Sequence, residues 1–362
     1  MAKKTWVNVS GTWKEAKNIW VNASTIWKEK VIPKINIGGV WKICKSYELS
    51  KVVPNPTTLS VARDQLAGAS VGDYGLFGGG TDGNYKTTVD AYNKSLVRST
   101  PTALSVAVFN LAATSVGSYA LFGGGYGTGG NKNTVSAYNT SLTKTTPTAL
   151  SVARYYLAAT SVGDYALFGG GDSGSYSATV DAYNLSLTRS TPTALSVARP
   201  YLAATSVGSY GLFGGGYRSG GYSDTVDAYN LSLTRSTPTT LSVARHNLAA
   251  TSVGDYGLFG GGTTNKTTVD AYNLSLVRTT PTALSVGREN LAATSVGDYG
   301  LFGGGSSYTD AVDAYDTSLT KTTPTALSAS KRSLAATSVG SYALFGGGNT
   351  GSYSDTVDAY TA

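Results

Sequence analysis

Apolar and polar residues alternate over short runs through most of the chain, each run closed by glycine, Asn-Ser or Thr-Pro. The representative unit reads LSVAR, two variable residues, LAATSVGDYALFGGG, a variable loop, then TVDAYNLSLTRSTPTA. It resolves into four β-compatible runs: LAATSV (strand a), YALFGG (b), TVDAYN (c) and SLTRST (d). Triple glycines begin at 78, 123, 169, 214, 260, 303 and 346, at spacings of 45, 46, 45, 46, 43 and 43. Four short strands per unit and a period in the forties predict the blades of a propeller. The glycines and the Val, Thr and Tyr content exclude a helical solenoid of similar period.

The ends of the array predict how the ring closes. The last unit stops after strand c, at Thr356 to Tyr360, and an orphan stretch from Ser46 to Ser60 aligns with Ala91 to Ser105. The missing seventh strand d therefore lies at the N-terminal side. Pairing it with the C-terminal strand c completes seven blades and leaves no open sheet edge. The expected fold is all-β: a seven-bladed propeller with four antiparallel strands per blade, closed by that pairing, plus a small N-terminal β-hairpin module.

These residues resemble the kelch family over 46 to 362. The match rests on the glycine doublet ending strand b, the strand-c tyrosines (Tyr92, Tyr138, Tyr183, Tyr229, Tyr272, Tyr315, Tyr360), and the arginines before strand a (Arg63, Arg154, Arg199, Arg245, Arg288). The family's strand-d Trp is missing. A Leu four residues after the strand-c Tyr (Leu96, Leu142, Leu187, Leu233, Leu276, Leu319) stands instead, which implies less aromatic packing between blades. The resemblance implies the fold and no particular function.

Because the units are nearly identical, the places where they disagree can be read within one chain. The a-to-b and c-to-d loops hardly vary. Variation concentrates in the pair before strand a and in the b-to-c loops after the glycines, two sets that antiparallel order puts on one face of the disc. The pairs supply Asp64, Gln65, Phe109, Asn110, Tyr155, Tyr156, Tyr201, His246, Asn247, Glu289, Asn290 and Arg332 as candidate ligand contacts. The loops add Tyr85, Tyr126, Tyr176, Arg218, Tyr308 and Tyr353. Tyrosine with small polar neighbours resembles a paratope: large amphipathic contact at small entropic cost. Free drift of exposed loops is the competing reading, but drift would scatter changes over both faces. In peptide-binding kelch domains the same two positions line the binding face, so the resemblance points there too.

Residues 6 to 45 carry a shorter repeat of 14 residues, WVNVSGTWKEAKNI, WVNASTIWKEKVIP and KINIGGVWKICKSY. All five tryptophans of the chain, Trp6, Trp13, Trp20, Trp27 and Trp41, lie here. Val, Asn, Thr and paired Gly disfavour the coiled coil that a heptad of Trp would suggest; three β-hairpins are expected, with turns at Ser10-Gly11 and Gly38-Gly39. So small a stack cannot bury its own tryptophans and is expected to dock, through them, on another protein or on its own copies. The alternative is a cap on the propeller. These Trp-Lys repeats look like short modules of phage and prophage tail-associated proteins of Gram-positive bacteria.

Charge sharpens this division. Residues 1–45 hold nine Lys against two Glu, whereas residues 46–362 hold 19 Lys and Arg against 19 Asp and Glu. The two domains expected are thus a basic attachment module, 1–45, and a propeller, 46–362. The basic charge belongs to the module, so no nucleic-acid surface is expected on the ring. No apolar stretch is long enough to cross a bilayer as a helix, and no secretory signal precedes the module; no membrane insertion is expected.

Catalytic chemistry is sparse. His246 is the lone histidine and Cys44 the lone cysteine, too few for a zinc or copper site, a disulfide or a nucleophile–base pair. The VDAY aspartates (Asp90, Asp181, Asp227, Asp270, Asp313, Asp358) recur once per blade and read as structural; a pair of acids working on a glycan would not repeat so. The glycine triplets lack the Lys-Ser/Thr and helix of a phosphate loop. No catalytic residue, metal or cofactor is expected.

The leading expectation is a non-enzymatic component of a bacteriophage or phage-like particle, made in the host cytoplasm without a signal peptide and carried on the virion, its tail or surface, in several copies. The module would anchor it to other virion proteins and the variable face would bind a host cell-surface receptor, glycan or protein. A virion decoration protein and a cytosolic peptide-binding scaffold are the alternatives.

Overall fold

The computed structural model describes residues 49–306 and 309–362 in full, and the backbone of six strands between residues 6 and 43. The chain divides into two compact units, Met1–Glu48 and Leu49–Ala362. In the first, three two-stranded antiparallel ladders repeat one register: Trp6–Val9 pairs with Thr12–Glu15, Val21–Ala23 with Ile26–Lys28, and Lys34–Ile37 with Val40–Ile43. Asn8, Asn22 and Asn36 stand opposite Trp13, Trp27 and Trp41, so each 14-residue repeat contributes one hairpin. The turns expected at 10–11 and 38–39, Trp20 and Cys44 lie outside the described residues.

The second unit is a seven-bladed propeller in which every blade is a four-stranded antiparallel sheet in the order a-b-c-d. In the first blade these are Ala67–Val71, Tyr74–Gly78, Val89–Asn93 and Arg98–Ser99. The last blade takes its strand d from the start of the ring. Ser50–Lys51 pairs with Val357–Thr361, placing Lys51 opposite Tyr360 and Ser50 opposite Thr361.

That register corrects the alignment of Ser46–Ser60 with Ala91–Ser105, which puts Val53 at the place of Arg98. Arg98 stands opposite Tyr92, and it is Lys51 that stands opposite Tyr360. The reason is electrostatic: the strand-d cation must reach the strand-c carboxylate, as Lys51 Nζ does at 2.8 Å from Asp358. Two extra residues before Pro56 absorb the offset.

Strands b and c are buried on both faces, because each blade is sandwiched between two others. In strand b, Leu76 and Phe77 point to opposite sides and both are fully buried. The phenylalanine side faces the preceding blade: Phe122 and Tyr138 pack into the cluster of Leu76, Val89 and Ala91, and Phe77 and Tyr92 close the ring against Leu344 and Val357. Within each blade this Phe meets the strand-c Tyr edge to face at 5.9–6.1 Å. The Leu after strand c packs on the same interface, as Leu142 does on the first blade.

The first glycine of each triplet lies under the next blade's phenylalanine. A Cβ at Gly78 would sit 2.8 Å from the Phe122 ring, and at Gly169 2.7 Å from Phe213; the contact recurs around the ring to Gly346 and Phe77. Each Tyr hydroxyl then donates to the carbonyl of a Thr in the crossing that enters its blade, at 2.7–2.8 Å, as Tyr92 does to Thr57.

The recurring Asp and Arg form buried ion pairs. Arg63–Asp90, Arg154–Asp181, Arg199–Asp227, Arg245–Asp270 and Arg288–Asp313 lie at 2.7–2.8 Å with fully buried side chains, and Lys331–Asp358 fills the seventh blade at 3.2 Å. The other carboxylate oxygen accepts a backbone N–H of the crossing, Ser60 on Asp90 and Ser151 on Asp181. Each pair thus pins the residues immediately before strand a. In the second blade Val108 and Ser136 replace both partners at once, Ser136 Oγ accepts the Ser105 N–H, and a void of only about 10 Å³ remains.

A buried pair broken on one side leaves a charge without its partner, whereas removing both need not. Arg154→Val alone should cost about 3 kcal/mol in denaturant unfolding, and Arg154→Val with Asp181→Ser, which copies the second blade, should cost less than either single change. Additive losses would contradict this role for the pairs.

Candidate functional site

The variable pairs are held by a closed backbone ring. Their second members, Gln65, Asn110, Tyr156, Tyr201, Asn247, Asn290 and Ser333, each donate an N–H to the carbonyl of the equivalent residue in the preceding blade, at 2.9–3.1 Å, with Gln65 donating to Ser333 to complete the circle. All seven adopt the left-handed backbone region, φ from 51 to 58°. Asn suits it because its short side chain tolerates the conformation, and three of the seven are Asn. The tyrosines have no such preference.

The first member of each pair reaches outward to the loop after the glycines. Asp64 bridges to Thr81, Phe109 to Tyr126, Tyr155 to Asp172 and Arg332 to Asn349. The carbonyls of Pro200, His246 and Glu289 accept from Tyr217, Thr263 and Ser306 at 2.6–2.9 Å. Both variable sets therefore meet on one face. On that face, around the axis, lies a cavity of about 550 Å³, lined by the second members, by Asp64 and Arg332, and by Leu66 and its six counterparts.

The rim is polarised. From the first blade to the fifth, aromatic rings touch in an unbroken crescent. Tyr85 stacks on Phe109 at 5.4 Å, Phe109 meets Tyr126 at 5.8 Å, and Tyr126 meets Tyr155 at 5.4 Å. Tyr155 lies 4.5 Å from Tyr156, Tyr156 4.0 Å from Tyr201, and Tyr201 5.5 Å from His246. His246 in turn contacts Tyr217 and Tyr222, and Tyr217 contacts Tyr176. Short hairpins form in the loops of the second and fourth blades, Tyr126–Gly127 with Gly130–Asn131 and Tyr217–Arg218 with Gly221–Tyr222, whereas the third-blade loop between them has only the bridge of Asp172 to Tyr176. The rest of the rim carries Glu289, Asn290, Arg332, Asn349, Asp64 and Gln65.

Burial tunes the titrating groups. Asp64 is 7 % exposed; its Oδ2 lies 3.5 Å from Asn349 Nδ2 and its Oδ1 has no hydrogen-bond partner. Burial raises its carboxyl above the ordinary range, with Asn349 and Arg332 pulling part of the way back. Burial first, then the neighbouring Tyr156, pushes the Tyr201 phenol well up. Half-buried Glu289 and Asn110 also present an unpartnered atom, Oε2 and Nδ2. Among the described residues no group of three or more His, Cys, Asp or Glu could hold a metal ion.

Of the sequence candidates, the pairs and Tyr85, Tyr126 and Tyr176 belong to this connected surface. Arg218 is exposed at its hairpin, and exposed Tyr353 bridges to Asn349. Tyr308 lies outside the described residues, as do the tryptophan side chains. Ser333, Tyr217 and Tyr222 join the surface without having been candidates. Variation among the units marks all three, but it is blind to the leucine floor, which never varies.

No family model matches the chain, and no curated protein matches it. Among solved structures, that of YjhT, a propeller, is similar at 13 % identity with a TM-score of 0.56, covering 74 % of this chain and 95 % of that one. This similarity supports the propeller fold.

The lone histidine makes the rim's electrostatics measurable. Burial pulls the His246 imidazole below its ordinary 6.5, and the Glu289 carboxylate opposes this less strongly. A single histidine NMR signal should titrate below 6.5. Because the unfolded imidazole takes up its proton first, stability should fall as pH drops through that window. A midpoint above 6.5 would contradict this burial.

Proposed function

We propose that the chain is a non-enzymatic binding protein of a bacteriophage or phage-like particle, its kelch-like ring presenting the aromatic face to a glycan on the bacterial surface. The observation that carries this reading is the crescent from Tyr85 to Tyr222, ten contiguous rings on the one face where the units disagree. Rings fixed by mutual contact lose little entropy on binding and offer flat apolar faces beside polar edges, which suits the alternating C–H and hydroxyl surfaces of sugars. The six ion pairs, and the tyrosine clamps and glycine contacts of all seven blades, recur as scaffold and leave this face as the distinctive feature of the ring.

The Trp-Lys hairpins suit anchoring to other particle proteins. Their repeat of one strand pair per 14 residues presents the same Asn and Trp register three times over. On this reading the basic module fixes the protein to the particle and the ring meets the cell.

Cosedimentation of the full chain with purified cell walls of Gram-positive bacteria tests the reading. The chain should pellet with walls, and Tyr155→Ala, Tyr156→Ala and Tyr201→Ala combined should abolish pelleting while the cooperative melt persists. Walls that never retain the chain, or that retain the triple variant equally, would overturn it.

A further inference from the structure

We propose that the axial cavity seats the terminal unit of a glycan that carries a free ammonium group, an unacetylated amino sugar, with Asp64 as the counter-charge. This rests on the reading that the aromatic face is the ligand-binding face.

The first observation is Asp64 itself. It is more than nine-tenths buried, it lines the cavity, and its Oδ1 accepts nothing from the protein. A buried carboxylate oxygen without a donor is costly, more so than a neutral group, and such a cost persists where a partner arrives from outside. Glu289 Oε2, two blades away around the same rim, is a second unpartnered acceptor. Arg332 supplies one positive charge between them, which leaves the acids in excess on this arc.

The second observation is what lies across the axis. In a ring of seven blades, the position opposite the first blade falls between the fourth and fifth, at Tyr201 and Asn247. Tyr156 and Tyr201 line the same cavity in contact with each other. The cavity thus joins an acid on one side to two aromatic residues on the other, and carboxylates and aromatic rings both attract a cation. Burial draws His246, beside Tyr201, toward its neutral form, which lessens any opposing charge.

A bare amine would leave the amides of the rim unused. Asn110, Asn247 and Asn290 line the cavity, and Asn110 Nδ2 is an unpartnered donor. Side-chain amides both donate and accept, which matches a ring of hydroxyls. The cavity, at about 550 Å³, falls within the ordinary range for small-ligand sites.

Calorimetric titration of the full chain at pH 7 with methyl glucosaminide and methyl glucoside, which differ in one ammonium for one hydroxyl, tests the proposal. The amine should bind about tenfold more tightly, and Asp64→Asn, with its melt intact, should bring the ratio close to one. Equal binding of the two sugars, binding of neither, or a preference that survives Asp64→Asn would overturn it. Should Asp64→Asn fail to fold, Glu289→Gln must still narrow the ratio, and an unchanged ratio would count against the site. Retention on cell walls without an amine preference would remove this proposal and leave the broader reading standing. An amine preference without wall retention would do the reverse.

Discussion

Each blade lays a phenylalanine ring on the glycine that ends strand b of the blade before it, and the ring of blades is assembled from that contact. At 2.7–2.9 Å from ring carbon to where a Cβ would stand, no other residue fits without moving the neighbouring sheet. The phenylalanine is also the edge-to-face partner of the strand-c tyrosine, whose hydroxyl clasps the crossing that enters its blade. Packing between blades, the conformation of strand b and the path of the connecting chain therefore depend on one small residue. Because the interface returns from Gly346 to Phe77, the last blade is held as the others are.

The same economy explains how a repetitive scaffold supports a varied face. In six of the seven blades a buried ion pair fixes the residue just before the variable pair, and the N–H of the pair's second member enters the circle of seven hydrogen bonds around the axis. Position and backbone conformation at the rim are thus set by groups other than the variable side chains. Side-chain identity there is left free, and the chain uses that freedom to gather touching aromatic rings along one arc, with Glu289, Arg332 and Asp64 on the other.

Much of this was legible in the sequence, because a sevenfold repeat shows its own rules. Blade count, strand order, ring closure and the face that varies all followed from the glycine triplets and the places where the units differ. The aspartates were read as structural from repetition alone, and they are. Their partners needed geometry, although the joint absence of Arg and Asp at Val108 and Ser136 was already visible as a gap in both series. The register of Ser50–Lys51 was misplaced by two residues because proline and threonine similarity outweighed the strand-d cation, whose role appears only once Lys51 meets Asp358. The leucine floor, the left-handed rim and the continuity of the aromatic crescent depend on residues far apart in sequence meeting across blades, which no local pattern encodes.

The central claim is that recognition is confined to the face where the units disagree. Hydrogen–deuterium exchange of the full chain, with and without solubilised cell-wall fragments, measures this most directly. Protection should appear in the pairs before strand a and in the loops after the glycines of the first five blades, with the c-to-d turns such as Asn93–Val97 unchanged. Protection centred on those turns, or absent from the variable face, would contradict the account.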